Sequence, residues 1–313
     1  MKYNKLIKNS IAVSEIGFGA WQLGKSTDWK SMRDNEAIEL VHKALDLGIN
    51  FFDTAPNYGL GTSEERLGKA LCNYDRSKIV INTKFGHSEK GELNFSSDIV
   101  KQSLEGSLKR LKTEYVDSLI IHNPPFEYLD GNKNDHYEIL EKLKEEGKIR
   151  AYGASLDTYK EMKTFITTTN CEVIEVFYNI IHQDAAKAFN LTKEKNIGII
   201  VKIPLDSGWL SGKYNEQSVF DDIRNRWSKE DIIIRAGLVN QIKKLIPGDY
   251  DLAQTAISFC LANNAVSTVI PGIKNNDQLL KNIESANKAI SNELVYKLEK
   301  FYQEEIEKLN LPW

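Results

Sequence analysis

The chain has 313 residues, 41% of them apolar and 27% charged, enough to build a buried core and too much to leave it disordered. Its 41 Lys and Arg against 44 Asp and Glu give a net charge of -3, which argues against a nucleic-acid or anionic-membrane partner. No apolar stretch approaches the ~18 residues of a bilayer span, and the first residues lack the apolar run of a secretory signal. Cys72, Cys171 and Cys260 are far apart, with neither a disulfide framework nor a zinc-ligand spacing. The expectation is a cytoplasmic α/β protein without a metal site.

In chain order, residues 3–14 resemble a short β-hairpin that closes one end of the molecule. Short β-branched runs then alternate with amphipathic segments. The runs lie at 16–20, 49–53, 79–84, 116–122, 149–155, 173–179, 197–203 and 267–272. Several are apolar throughout, as strands covered on both faces are. Between and after them, helical spacing marks 34–47, 62–73, 97–112, 135–146, 157–168, 184–195, 252–263 and 276–289. In the first of these, Ala37, Ile38, Val41, Ala44 and Leu45 share one face. Residues 204–251 read as a long loop over the barrel mouth, and 291–308 as an extra C-terminal helix. Eight strand–helix alternations imply a (β/α)8 barrel with an N-terminal β-hairpin and an extra C-terminal helix, one domain over 1–313.

A barrel of this kind places its chemistry at the C-terminal ends of its strands. The second strand ends in Asp53, and Tyr58 follows in the loop. The third ends in Lys84 and the fourth in His122. Adjacent strands are about 4.8 Å apart, so three consecutive ends span roughly 10 Å and long side chains can meet there. A phenol titrates near 10, and a neighbouring ammonium favours the phenolate, so Lys84 is expected to lower that value. Asp53 would keep Lys84 charged and aimed. His122 would orient a substrate oxygen, and Tyr58 would give a proton to a carbonyl as hydride arrives.

The motifs GFGAWQLG (17–24), DTAPNYG (53–59) with SEERLGKAL (63–71), VINTKFG (80–86), DSLIIHNP (117–124), PLDSGWLSGKY (204–214) and IPGIKNNDQLLKN (270–282) stand in an order that resembles the aldo-keto reductase family over nearly the whole chain. The resemblance implies reduction of an aldehyde or ketone by NADPH, with NADH the weaker candidate. Asp53, Tyr58, Lys84 and His122 would be the catalytic set. Cofactor contacts would come from Gly19, Ala20 and Trp21 after the first strand. Further contacts would come from Pro204, Leu205, Ser207, Gly208, Leu210 and Arg226 in the long loop. Gly272, Lys274, Gln278 and Asn282 would hold the adenosine end, Lys274 meeting the 2′-phosphate. The substrate pocket would be lined by Trp21, Phe85, Asn123 and Trp227, with Phe126 and Tyr128 in reach.

The chain also departs from the family pattern. Ser155 matches the first member of a Ser-Asn pair that holds the nicotinamide carboxamide, but Leu156 follows. Glu175 stands where a Gln is usual, with Tyr178 and Asn179 after it. Lys202 stands where an aromatic residue often stacks on the nicotinamide. Glu175 and Lys202 could instead pair with each other. These changes keep a second reading open, a nicotinamide-nucleotide-binding regulatory or sensor protein with little turnover. A Schiff-base aldolase built on Lys84 is a third, opposed by Asp53, which would raise the lysine's pKa. The partner expected is a small carbonyl compound.

Overall fold

The computed structural model describes residues 1–7, 11–25, 28–30, 32–248, 250–309 and 311–312. β1 (Tyr3–Ile7) and β2 (Ile11–Ser14) form an antiparallel hairpin. The barrel strands follow as β3 (Phe18–Gly19), β4 (Phe51–Asp53), β5 (Val80–Phe85), β6 (Val116–Ile121), β7 (Ile149–Leu156), β8 (Val173–Phe177), β9 (Gly198–Lys202) and β10 (Val266–Ile270). They pair in parallel and in sequence order. Parallel bridges from Ile16 to Val269 and from Gly19 to Gly272 bring the last strand back to the first, so the barrel is nearly closed.

The helices are α1 (Asp34–Asp46), α2 (Thr62–Leu71), α3 (Ser97–Leu111), α4 (His136–Glu145), α5 (Tyr159–Thr168), α6 (Phe189–Lys195), α7 (Lys229–Leu245), α8 (Leu252–Ala262), α9 (Asn276–Asn287) and α10 (Asn292–Phe301). The last continues as a π-helical turn over Tyr302–Ile306. Their boundaries fall within a few residues of the sequence expectation except at one place. Residues 204–251 are not one loop, because they contain the 17-residue α7. Its buried face carries Ile232, Ala236, Leu238, Val239 and Ile242, but Arg235 is buried among them while Ile233 and Ile234 are exposed, which blurs the apolar stripe in the sequence.

Strand alternation divides the core into two layers. Phe51, Val80, Ile120, Ala151, Val173, Ile200 and Ile270 point into the barrel and meet Leu6, Ile11 and Val13 of the hairpin. The hairpin therefore plugs the end where the strands begin. Gly198 opens β9 there, and a Cβ on it would sit 1.9 Å from the Leu6 carbonyl oxygen. The opposite residues of the same strands pack on the helices. Among the described residues no helix is long and apolar enough to cross a membrane.

The SEERLGKAL motif has a mechanical role in this frame. Glu64, on α2, is fully buried, accepts a hydrogen bond from Thr83 Oγ1 at 2.6 Å and pairs with Arg110 at 2.7 Å. Arg66 donates to the Met32 carbonyl at 2.7 Å, to the Leu23 carbonyl and to Asp34. These bonds tie α2 to β5 and α3 and to the loop after β3, which fixes the strand that carries Lys84.

Candidate active site

The loop after β4 carries Tyr58 and turns through Gly59, where φ is +58°. A Cβ on Gly59 would lie 2.4 Å from the Cα of Gly24, so two backbones touch only because both residues lack side chains. That contact sets Tyr58 against the loop after β3. Its ring stacks on Trp21 at 5.7 Å between centroids and meets the edge of His122 at 5.8 Å.

Behind the phenol, Lys84 Nζ lies 5.2 Å from the centre of the Tyr58 ring. It donates to Asp53 Oδ1 at 2.6 Å and to the Thr54 carbonyl at 3.1 Å, and lies 3.2 Å from Glu175 Oε2. Asn82 also donates to Asp53 Oδ1, at 2.7 Å. All three ionisable groups are buried. Burial and the Glu175 charge push the Asp53 carboxyl up to about 7, although Lys84 opposes them. Against the desolvation that would lower it, the two carboxylates and Tyr58 hold Lys84 above the usual lysine range.

Tyr58 behaves differently from the sequence expectation. Lys84 does pull its pKa down, but burial is the larger effect and the Asp53 and Glu175 charges add to it, so the phenol titrates above its ordinary value. His122 is held well below its ordinary value by burial and by the nearby Lys84, His87 and Lys202. It is therefore a neutral imidazole, with one ring nitrogen free to donate and the other to accept.

Glu175 and Lys202 do not pair directly. Lys202 Nζ pairs with Asp157 at 2.8 Å and donates to Asn123 Oδ1 at 2.8 Å and to Ser155 Oγ at 2.9 Å. Ser155 in turn donates to Glu175 Oε1 at 2.9 Å.

These groups open into a cleft of about 430 Å³ at the C-terminal ends of the strands, within the range of small-molecule sites. Of the residues singled out in the sequence, Gly19, Trp21, Asp53, Tyr58, His122, Asn123, Glu175, Lys202, Pro204, Leu205, Ser207, Gly208, Gly272, Lys274, Gln278 and Asn282 line it. Lys84 and Ser155 stand behind that lining, and Ala20 is buried with its carbonyl bound to Ser63 Oγ. Arg226 reaches Ser207 Oγ at 3.4 Å.

Several expected positions lie elsewhere. Phe85 is buried against His136, because it follows Lys84 on β5 and so points to the helices. Tyr178 stacks on Phe259 at 5.5 Å in the same outer layer. Trp227 is buried between Trp209 and Arg235, and Leu210 is buried beneath the loop. Tyr128 packs on His136, and Phe126 lies outside the cleft under Lys160.

Other lining residues gave little sign of themselves in the sequence. His87 stacks on His122 at 4.2 Å. Trp29 meets the edge of Trp21 at 5.2 Å and lies under Lys274 Nζ at 4.6 Å. Gln22, Asn57 and Tyr214 also line the cleft. The Gly-His that follows Lys84-Phe85 was the only available hint of His87.

At the far side, Asn275 caps α9 by accepting from the Gln278 amide, while the Lys274 amide donates to Gln278 Oε1 at 2.8 Å. Burial, Arg224 and Lys213 lower the pKa of Lys274, and Asp222 opposes them. Several cations thus converge at a helix N-terminus, an arrangement suited to an anion. Asn282 Nδ2 is buried at the cleft and has no hydrogen-bond partner within the protein.

Comparison with known proteins agrees with this geometry. Residues 15–303 match the model of the aldo/keto reductase family. Aldo-keto reductase YhdN of Bacillus subtilis (strain 168) is 32% identical over 261 residues, covering 80% of this chain and 77% of that protein. A protein of Escherichia coli (strain K12) named NADH-specific methylglyoxal reductase is 26% identical, covering 92% and 94%. The holo form of aldo-keto reductase AKR11C1 from Bacillus halodurans superposes with a TM-score of 0.80 at 27% identity, covering 95% of each chain. With the motifs in order on an eight-stranded barrel, the chain belongs to the aldo-keto reductase family, oxidoreductases that use nicotinamide cofactors on small carbonyl compounds.

Proposed function

We propose that the protein reduces an aldehyde or ketone to the alcohol with NADPH, Tyr58 acting as the general acid. The observation that carries this reading is the convergence of Tyr58, Lys84, Asp53 and His122 at one cleft. The raised pKa of Tyr58 keeps its proton in place at neutral pH. As negative charge grows on the carbonyl oxygen, Tyr58 gives up that proton, and the Lys84 ammonium, 5.2 Å from the ring centre, stabilises the phenolate left behind. Neutral His122 supplies a hydrogen bond that aims the carbonyl. Trp21 and Trp29 form an aromatic wall on that side.

The bound dinucleotide supplies hydride to the carbonyl carbon. Asn282, with its unsatisfied amide, fits a sugar or phosphate oxygen. Lys274, backed by Arg224 and Lys213, fits a phosphate, and its place before α9 favours NADPH over NADH. Ser207 and Gly208 line the cleft where the pyrophosphate would lie, the Gly208 N–H itself donating to the Leu205 carbonyl at 2.8 Å. Lys84 is a poor candidate for a Schiff base, because its carboxylate neighbours keep it charged. Titrating the protein with NADPH and NADH while following tryptophan fluorescence tests the cofactor assignment. Saturable quenching, tighter for NADPH, is expected, and no response to either nucleotide would overturn it.

A further inference from the structure

Two ammonium groups and three carboxylates share the strand ends beside Tyr58. Lys84 has Asp53 at 2.6 Å and Lys202 has Asp157 at 2.8 Å, so each ammonium already has a carboxylate in close contact. Above about pH 7, where Asp53 is ionised, Glu175 is the surplus charge. It lies between the two pairs, 3.2 Å from Lys84 and linked to Lys202 through Ser155. It is buried and lines the cleft. Tyr58, His122 and His87 face the same space. The imidazoles are held toward neutrality and the phenol keeps its proton, so none of the three offsets the extra carboxylate.

A surplus anion in a water-poor pocket is stabilised most by a cation that enters without its hydration shell. The two redox forms of a nicotinamide dinucleotide differ at the ring in this respect, because the oxidised ring carries a positive charge and the reduced ring is neutral. We propose that Glu175 is a specificity-determining residue that tilts the site toward the oxidised dinucleotide. The inference rests on the dinucleotide reading above, with the ring placed beside Ser155, Glu175 and Lys202. The carboxylate then favours the charge that develops on the ring as hydride leaves it, and it retains the oxidised product or an oxidised dinucleotide meant for alcohol oxidation.

The test is a pair of dissociation constants, for NADP+ and NADPH, measured by calorimetry on the full chain and its variants at about pH 8, where Asp53 is ionised in all of them. Glu175→Gln keeps the shape and the Ser155 contact but removes the charge. It should weaken NADP+ relative to NADPH by about tenfold, equivalent to about 1.4 kcal/mol, and Glu175→Asp should restore most of the wild-type ratio. Equal changes in both constants, or none in either, would overturn the inference while leaving the dinucleotide assignment standing. Failure of the wild-type chain to bind either form would overturn both.

Discussion

Glu175 Oε2 lies 3.2 Å from Lys84 Nζ, an ammonium that Asp53 already holds at 2.6 Å. Burial, and after it the repulsion between two carboxylates on one buried cation, raise the Asp53 carboxyl to about 7. Isotope-edited infrared spectroscopy of the carboxyl band should find one group titrating near that pH. Glu175→Gln should move it to lower pH, and Asp53→Asn should delete it. A band unaffected by Glu175→Gln would show that the two carboxylates are not coupled.

The same shift predicts a sign for stability. Between its ordinary value of 3.8 and about 7, Asp53 keeps its proton in the folded protein and loses it in the unfolded chain. The folded state binds more protons there, so this group makes stability fall as pH rises through that window. Urea unfolding across the window should show stability falling less, or rising more, with pH in Asp53→Asn than in the wild type.

Lys274 sits over the Trp29 ring, before α9 and near Arg224 and Lys213. Lys274→Ala should weaken NADPH by about tenfold or more and NADH far less, since a charge-assisted bond to a 2′-phosphate is available to only one of them. Equal losses in dissociation constant would remove the 2′-phosphate assignment.

Arg235 and Asp206 form an ion pair at 2.7 Å with both side chains out of solvent, beneath the loop that carries Ser207 and Gly208. Arg235→Met leaves Asp206 charged, with His182 at 3.3 Å as its remaining partner. The variant should lose about 3–5 kcal/mol of unfolding free energy, while Asp206→Leu with Arg235→Met should recover much of it. Denaturant midpoints measure both.

The barrel and the four residues at its mouth were legible in the sequence because strand ends obey a simple rule: Asp53, Lys84 and His122 terminate or directly follow three consecutive apolar runs. What the sequence hid was direction and balance. Phe85 carries the right aromatic chemistry, yet alternation along β5 turns it away from the cleft that Lys84 faces. Trp227 and Tyr178 are likewise aromatic residues near the mouth whose rings fill the outer core. α7 escaped notice because Arg235, a charged residue, occupies its buried face in answer to Asp206, a partner 29 positions away. The raised pKa of Tyr58 could not be read from its neighbours alone, since it depends on how far burial outweighs the Lys84 charge. Glu175 and Lys202 were visible as departures, but Ser155 between them and Asp157 beside them emerge only from the fold.

The central claim is that the Tyr58 proton completes carbonyl reduction. The most direct measurement is single-turnover oxidation of bound NADPH by a reactive aldehyde, comparing wild type with Tyr58→Phe at equal nucleotide occupancy. The account predicts at least about a 100-fold loss of rate with NADPH affinity nearly unchanged, because the hydroxyl touches no phosphate contact. Retention of most of the rate by Tyr58→Phe would contradict it and move the proton donor elsewhere in the cleft.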